Sequence, residues 1–421
     1  MPGSRLSPQS PSYRWVIVVV AAFSLLNVYG IRHSFSAFFP PILAEFGWSR
    51  GATALMFSLN ILLYGFFAPI AGSLADRWHP KRLILLGIFT ITLSAIGCAS
   101  AKELWHFYVL YGVLMSLGAA CAGVPVLIPA VANWFAERRG LAIGLTYAGG
   151  GSSFAMPIYA GILIASIGWR WTFLVMAGSM AAIVVPIIML FFRYRPDKTV
   201  FEKLHTATTT ENRSPFGHLE LSHILRNYRL WLLVLAQTTY MGFANYMVVA
   251  HQVIYFEDLG YTDVFAAYIA GFAGIFIALG ALSGFLADRF GREKSLTLAA
   301  TLSTISVVTL LLQKDASLPW ALYVYAISFG LGMGLMGPSL TAGVADLFHG
   351  RHFGTINGLM LFGMGFGGVI GPWLGGYLFD ISGSYTVPFV ICLVAYAFAI
   401  VSIWTAAPRK AKQLAERNSL S

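Results

Sequence analysis

From Trp15 to Leu43 the chain carries a single formal charge, Arg32, in an otherwise apolar run. The run is long enough to cross a bilayer as a helix, for which roughly 20 predominantly apolar residues suffice. On a helix Tyr29, Arg32, His33 and Ser36 fall at i, i+3, i+4 and i+7, a polar stripe on one face of a hydrophobic rod. Lipid is excluded as the neighbour of that face, because a guanidinium at bilayer depth costs about 2.5 to 3.5 kcal/mol even on the lenient insertion scale. The stripe must face protein or a water-filled cavity. No Asp or Glu lies at comparable depth in any apolar segment, so a bound anion is the natural partner of Arg32.

Eleven more apolar segments come after it. The first six run 15–43, 51–75, 81–101, 104–134, 140–167 and 170–193, and the second six 229–257, 263–287, 294–313, 317–347, 354–379 and 384–406. With 57% hydrophobic and 10% charged residues in 421, this is the composition of a polytopic membrane protein. The expected organisation is a cytoplasmic tail at 1–14, a six-helix bundle at 15–193, a polar cytoplasmic linker at 194–228, a second bundle at 229–406 and a tail at 407–421. The polar start and the lack of a small-residue cleavage pattern give no sign of a removable signal peptide.

The net charge of +10 does not point to nucleic acid, because the basic residues sit at alternate ends of the apolar segments. With both termini inside, 22 of the 27 Lys and Arg fall on the cytoplasmic side, four outside and Arg32 in between, the bias expected of a multi-pass inner-membrane protein. Cys98, Cys121 and Cys392 have no metal-ligand or paired spacing and read as small packing residues. No metal, nucleophile-triad or nucleotide-phosphate motif is present, so neither a cofactor nor an enzyme is expected; Gly149–Gly151 lacks the Lys-Ser/Thr of a phosphate loop.

The two halves repeat. Gly72-Ser-Leu-Ala-Asp76-Arg77 matches Gly284-Phe-Leu-Ala-Asp288-Arg289 at an offset of 212, and Gly140, Gly144, Gly149 and Gly151 recur as Gly354, Gly358, Gly363 and Gly365 at an offset of 214. Such a period in a chain of twelve apolar segments implies two pseudo-symmetric six-helix bundles with a site between them near the midplane.

The duplicated Gly-x-Leu-Ala-Asp-Arg box, each copy followed by basic residues, resembles the loop signature of the major facilitator superfamily. Within it, Trp134 to Gly149 is similar to the fifth-helix signature of monocarboxylate porters, with Glu137 and Thr146 as departures. His33, Ser34, Phe38 and Phe39 occupy the places where that family carries a basic residue, a Ser and paired Phe in the first helix, and Arg32 adds a second cation. Monocarboxylate porters and the related oxalate/formate antiporters usually hold the carboxylate with an Arg in helix eight. Gly280 stands there in this chain, so a carboxylate must rely on Arg32 and His33.

The resemblance implies an all-α membrane protein of twelve transmembrane helices, a secondary transporter working by alternating access. The expected substrate is a small organic monoanion, a short or aromatic monocarboxylate, moved together with protons by a monomer. Arg32, His33, Tyr29, Ser36, Tyr147, Asn245 and Tyr246 are the expected substrate contacts, with His33 as the proton-coupling group because an imidazole titrates near working pH. Ser152 and Ser153 are further candidates for the cavity wall, Gln252 shares a helical face with Asn245, and His251 reads as a residue of the membrane interface. Asp76, Arg77, Asp288 and Arg289 resemble elements of the superfamily's cytoplasmic gate. Two alternatives remain at this level: export of a neutral or amphipathic metabolite, and a transporter-like sensor that binds without translocating. A lipophilic-cation pump is disfavoured, since it would need a buried carboxylate.

Overall fold

The computed structural model describes residues 13–135, 139–194, 220–283, 289–348 and 353–408; of Asp76, Arg139, Gly140, Phe353 and Gly354 it describes the backbone alone. Where water is absent the backbone must bond to itself, which makes each apolar segment a helix. The spanning helices are α1 (Tyr13–Phe46), α2 (Arg50–Ala75), α3 (Pro80–Ala99) and α4 (Leu104–Asn133). A single helical stretch, Leu141–Phe191, holds two crossings: its 51 residues would extend about 77 Å as one rod, well over twice the ~30 Å hydrocarbon core. It folds back at Gly168, whose φ of 78° and ψ of 161° suit only glycine, dividing it into α5 (141–167) and α6 (169–191). The second half comprises α7 (Tyr228–Asp258), α8 (Asp263–Leu282), α9 (Arg292–Leu312), α10 (Pro319–Phe348), α11 (Thr355–Ser382) and α12 (Thr386–Ala406). Divided at Gly168, the eleven spanning stretches among the described residues make twelve crossings, matching the twelve apolar segments. In the stretch between the halves, a short helix spans Leu221–Leu225.

Local chemistry ends several of these helices. Ser49 caps α2 by accepting from the Ala52 N–H, Thr262 caps α8 by accepting from Phe265, and Gly47 closes α1 in the left-handed conformation. Large apolar side chains such as Val19, Phe89, Leu190 and Leu312 stay well exposed around the outside, as a lipid-facing belt requires. The three described ion pairs, Arg50–Asp258, Arg170–Glu45 and Arg292–Asp346, all lie near helix ends.

The halves meet along two seams, α2 against α11 and α5 against α8, with the second part of α1 lying beside α7. The α5–α8 seam is the tighter in the middle. A β-carbon on Gly274 of α8 would overlap the Phe154 carbonyl on α5, so backbones touch there. Gly274→Val is expected to lower thermal stability measurably, an overpacking loss of about 1 to 3 kcal/mol, read as a drop in the melting temperature of the purified chain. An unchanged melting temperature would mean the seam yields.

Candidate functional site

Arg32 lies near the end of the first part of α1, two residues before a turn at Ser34 interrupts the helix, and only 4% of its surface is exposed. Its Nε–H donates to Asn60 Oδ1 on α2 at 2.5 Å. Asn60 Nδ2 donates to the Tyr111 carbonyl on α4 at 2.6 Å, and the Tyr111 hydroxyl donates back to the Arg32 carbonyl at 2.6 Å. These bonds close a ring through α1, α2 and α4. Tyr111 lies in a π-helical stretch, Tyr108–Leu114, a widened geometry that recurs at functional sites.

Aromatic rings supply the rest of the cation's surroundings. The guanidinium carbon lies 4.6 Å from the Tyr64 ring centroid and 5.6 Å from that of Tyr29, close enough for cation–π attraction of about 0.5 to 2 kcal/mol each. The two tyrosine hydroxyls bond to one another at 2.8 Å, and the Val124 N–H donates to Tyr29 at 2.9 Å. Among the described residues no Asp or Glu pairs with Arg32, and its two terminal nitrogens have no protein acceptor. Among the described residues, then, the positive charge is held in place by neutral groups alone.

His33 points to α5. Its ring stacks on Phe154 with centroids 3.7 Å apart, and Nδ1 meets Ser153 Oγ at 2.6 Å. Ser153 has one proton and donates it to the Gly150 carbonyl, so Nδ1 must be the donor to Ser153. The lone pair of the neutral imidazole then sits on Nε2, which has no hydrogen-bond partner among the described residues.

Tyr147 and Tyr246 join this group. Tyr147 of α5 is 47% exposed at mid-span and lies near Tyr29 and Tyr64. Tyr246 of α7 lies within electrostatic reach of Arg32 and meets the Phe57 ring of α2 edge-on at 5.9 Å. Two expected contacts make no hydrogen bond to this group among the described residues. Ser36 is fully buried with its hydroxyl unpartnered, and Asn245 Oδ1 accepts from Tyr396 of α12 at 2.7 Å, inside the second bundle. Gln252 likewise bonds Tyr325 of α10. Of the expected gate, Arg77 and Arg289 are exposed, the Asp76 side chain is not described, and Asp288 lies outside the described residues.

A second polar assembly seals the end opposite the termini, and most of it was not marked out by sequence. Arg50 of α2 holds Asp258 of α7 with both terminal nitrogens, at 2.5 and 2.8 Å, and lies 3.8 Å above the Phe379 ring. The Arg50 and Gly51 backbone N–H groups, orphans of a helix start, donate to Asp380 of α11 at 2.9 and 2.8 Å. Arg50 also donates to the Tyr385 hydroxyl, which donates to His251 Nδ1 at 3.0 Å, while His251 Nε2–H donates to the Pro372 carbonyl at 2.7 Å. His251 is thus fully buried with both ring nitrogens engaged, not a residue of the membrane interface.

The chain matches the family model described as Major Facilitator Superfamily over residues 15–327 and 269–420. It is 26% identical to monocarboxylate transporter 13 of Rattus norvegicus over 92% of its own length and 87% of the relative's. Human monocarboxylate transporter 11 is 26% identical over 93% of this chain and 83% of its own. The uncharacterized MFS-type transporter YcxA of Bacillus subtilis is 23% identical, covering 93% of this chain and 95% of its own. Among solved structures, a bacterial homologue of the human lysosomal transporter Spinster, inward-facing and unoccupied, superposes with a TM-score of 0.69 at 17% identity over 96% of this chain and 97% of that one. A chain with this fold, matched by that model over nearly all its length, is a membrane transporter rather than an enzyme and belongs to the major facilitator superfamily.

Proposed function

We propose that this transporter moves a small organic monoanion, a short or aromatic monocarboxylate, by alternating access and together with a proton. One observation carries the reading: Arg32 is buried, bonded to a neutral amide and two aromatic faces, and has no carboxylate partner among the described residues. A cation so placed is stable at that depth only with a counter-charge for part of the cycle, and a substrate carboxylate supplies one. The surrounding tyrosines suit a ligand with an apolar body and a single charged end. The names of the monocarboxylate transporters among its relatives point the same way.

His33 adds the coupling. Its free Nε2 takes the proton, and that step is easier once an anion has offset the guanidinium charge of Arg32, so substrate and proton bind cooperatively. The two bundles, 15–193 and 229–406, rock about this centre, with the 194–228 linker and both termini in the cytoplasm and Asp76, Arg77, Asp288 and Arg289 at the cytoplasmic gate. The protein then acts as a monomer in the bacterial inner membrane.

The test is uptake by proteoliposomes of labelled monocarboxylates, a dicarboxylate, a sugar and a lipophilic cation, with and without an inward proton gradient. Gradient-stimulated uptake of a monocarboxylate alone is the expected result. His33→Gln should retain carboxylate exchange at equilibrium while losing at least about tenfold of the stimulation by the gradient, a typical coupling of 1 to 3 kcal/mol being withdrawn. Movement of only the sugar or the cation would overturn the assignment of an anion site.

A further inference from the structure

We propose that Asn60 sets the charge selectivity of the transport site, an inference that rests on the reading of Arg32 as an anion site. The amide orientation is fixed from both sides. Arg32 Nε–H can only donate and the Tyr111 carbonyl can only accept, so position 60 must present one acceptor and one donor on a single planar group. Asn does this without carrying charge. Buried arginines ordinarily find a carboxylate, and Asp is the same size and shape as Asn. An acid at position 60 would pair with Arg32 and bring the centre to zero net charge.

The neutral amide therefore does two things at once. It engages only the Nε–H, leaving the two terminal nitrogens, which have no protein acceptor among the described residues, to grip a planar carboxylate. It also leaves the guanidinium charge uncompensated within its aromatic surroundings, so an anion gains and a neutral isostere does not. Asn60 is a positioning and specificity-determining residue that acts through Arg32; the substrate class it selects is the monoanion with a planar oxygen pair.

Binding of labelled benzoate, with its neutral isostere benzamide as competitor, tests this on the purified full chain and on Asn60→Asp, Asn60→Ala and Arg32→Ala. The wild-type chain should prefer benzoate. Asn60→Asp should lose at least about tenfold in benzoate affinity with benzamide unchanged, collapsing the preference, whereas Asn60→Ala should weaken binding but still favour the anion. A purely structural role predicts that both variants weaken benzoate and benzamide alike, Ala by losing both bonds and Asp by setting a carboxylate oxygen against the Tyr111 carbonyl, with the charge preference intact in each. Should Asn60→Asp keep the wild-type preference while Arg32→Ala abolishes it, the role of Asn60 is refuted and the anion site stands. If Arg32→Ala binds benzoate as the wild type does, or the wild type binds no benzoate, the anion site falls and this proposal with it. Equal melting temperatures for wild type and Asn60→Asp exclude misfolding as the cause of a loss.

Discussion

Arg32→Ala is expected to reduce saturable monocarboxylate uptake at subsaturating substrate by at least about 30-fold, with no loss of folded yield. Truncating one member of a desolvated, hydrogen-bonded charge pair costs about 2 to 5 kcal/mol, and each 1.4 kcal/mol is tenfold. The yield should hold because the change removes an unneutralised buried charge and leaves the Tyr111 bond to the Arg32 backbone in place. Asn60 loses one partner and keeps the other. Thermal shift separates the two effects: a ligand at 100 times its dissociation constant stabilises by about 2.7 kcal/mol, and that increment should vanish in Arg32→Ala while the ligand-free melting temperature stays level or rises. Wild-type uptake in this variant would remove Arg32 from the mechanism.

Arg50→Ala is expected to open the end of the molecule opposite the termini. Arg50 is the hub of that seal: a two-pronged pair to Asp258, a bond to Tyr385 and a face-on contact with Phe379 all depend on its side chain. Charge-assisted hydrogen bonds contribute about 1.5 to 3 kcal/mol each when shielded. The Arg50 and Asp258 side chains are 16% and 37% exposed, so solvent screening reduces the total and the expected shift toward the open form is about tenfold. A cysteine replacing Tyr147, in intact cells treated with a membrane-impermeant thiol reagent, reads it directly, since Cys98, Cys121 and Cys392 are buried. Labelling should rise about tenfold in Arg50→Ala and fall back when Arg50→Asp is combined with Asp258→Arg. Unchanged labelling would show that the α2–α11 seam alone keeps this end shut.

The fold was legible because length and hydropathy are coarse signals that no local detail erases. Twelve apolar runs became twelve crossings, including the pair that turns on Gly168 with hardly a loop between them. Arg32 and His33 were legible for a related reason: charge inside an apolar run demands a partner. The partners themselves were not. Asn60, Tyr64 and Tyr111 are neutral side chains of kinds scattered through many of the helices, and nothing in spacing says which of them converge. Asn245 shows a second limit. A regular helical wheel carries its face forward at 3.6 residues per turn, but Thr238–Asn245 is π-helical, and the wider turn rotates the side chains beyond it. The Arg50 seal escaped because its members are far apart in sequence, and an arginine at a helix end looks ordinary until Asp258 and Asp380 are brought to it.

A ribosome delivers α1 first, and at that moment neither Asn60 nor Tyr111 exists for Arg32 to bond. The emerging segment holds a cation whose burial costs about 2.5 to 3.5 kcal/mol with nothing to offset it but the apolar residues alongside. Its full set of bonds arrives only with α2 and α4, the elements that carry the other two members of the ring. The ring through Arg32 therefore cannot close until α4 has followed α1 and α2 into the membrane.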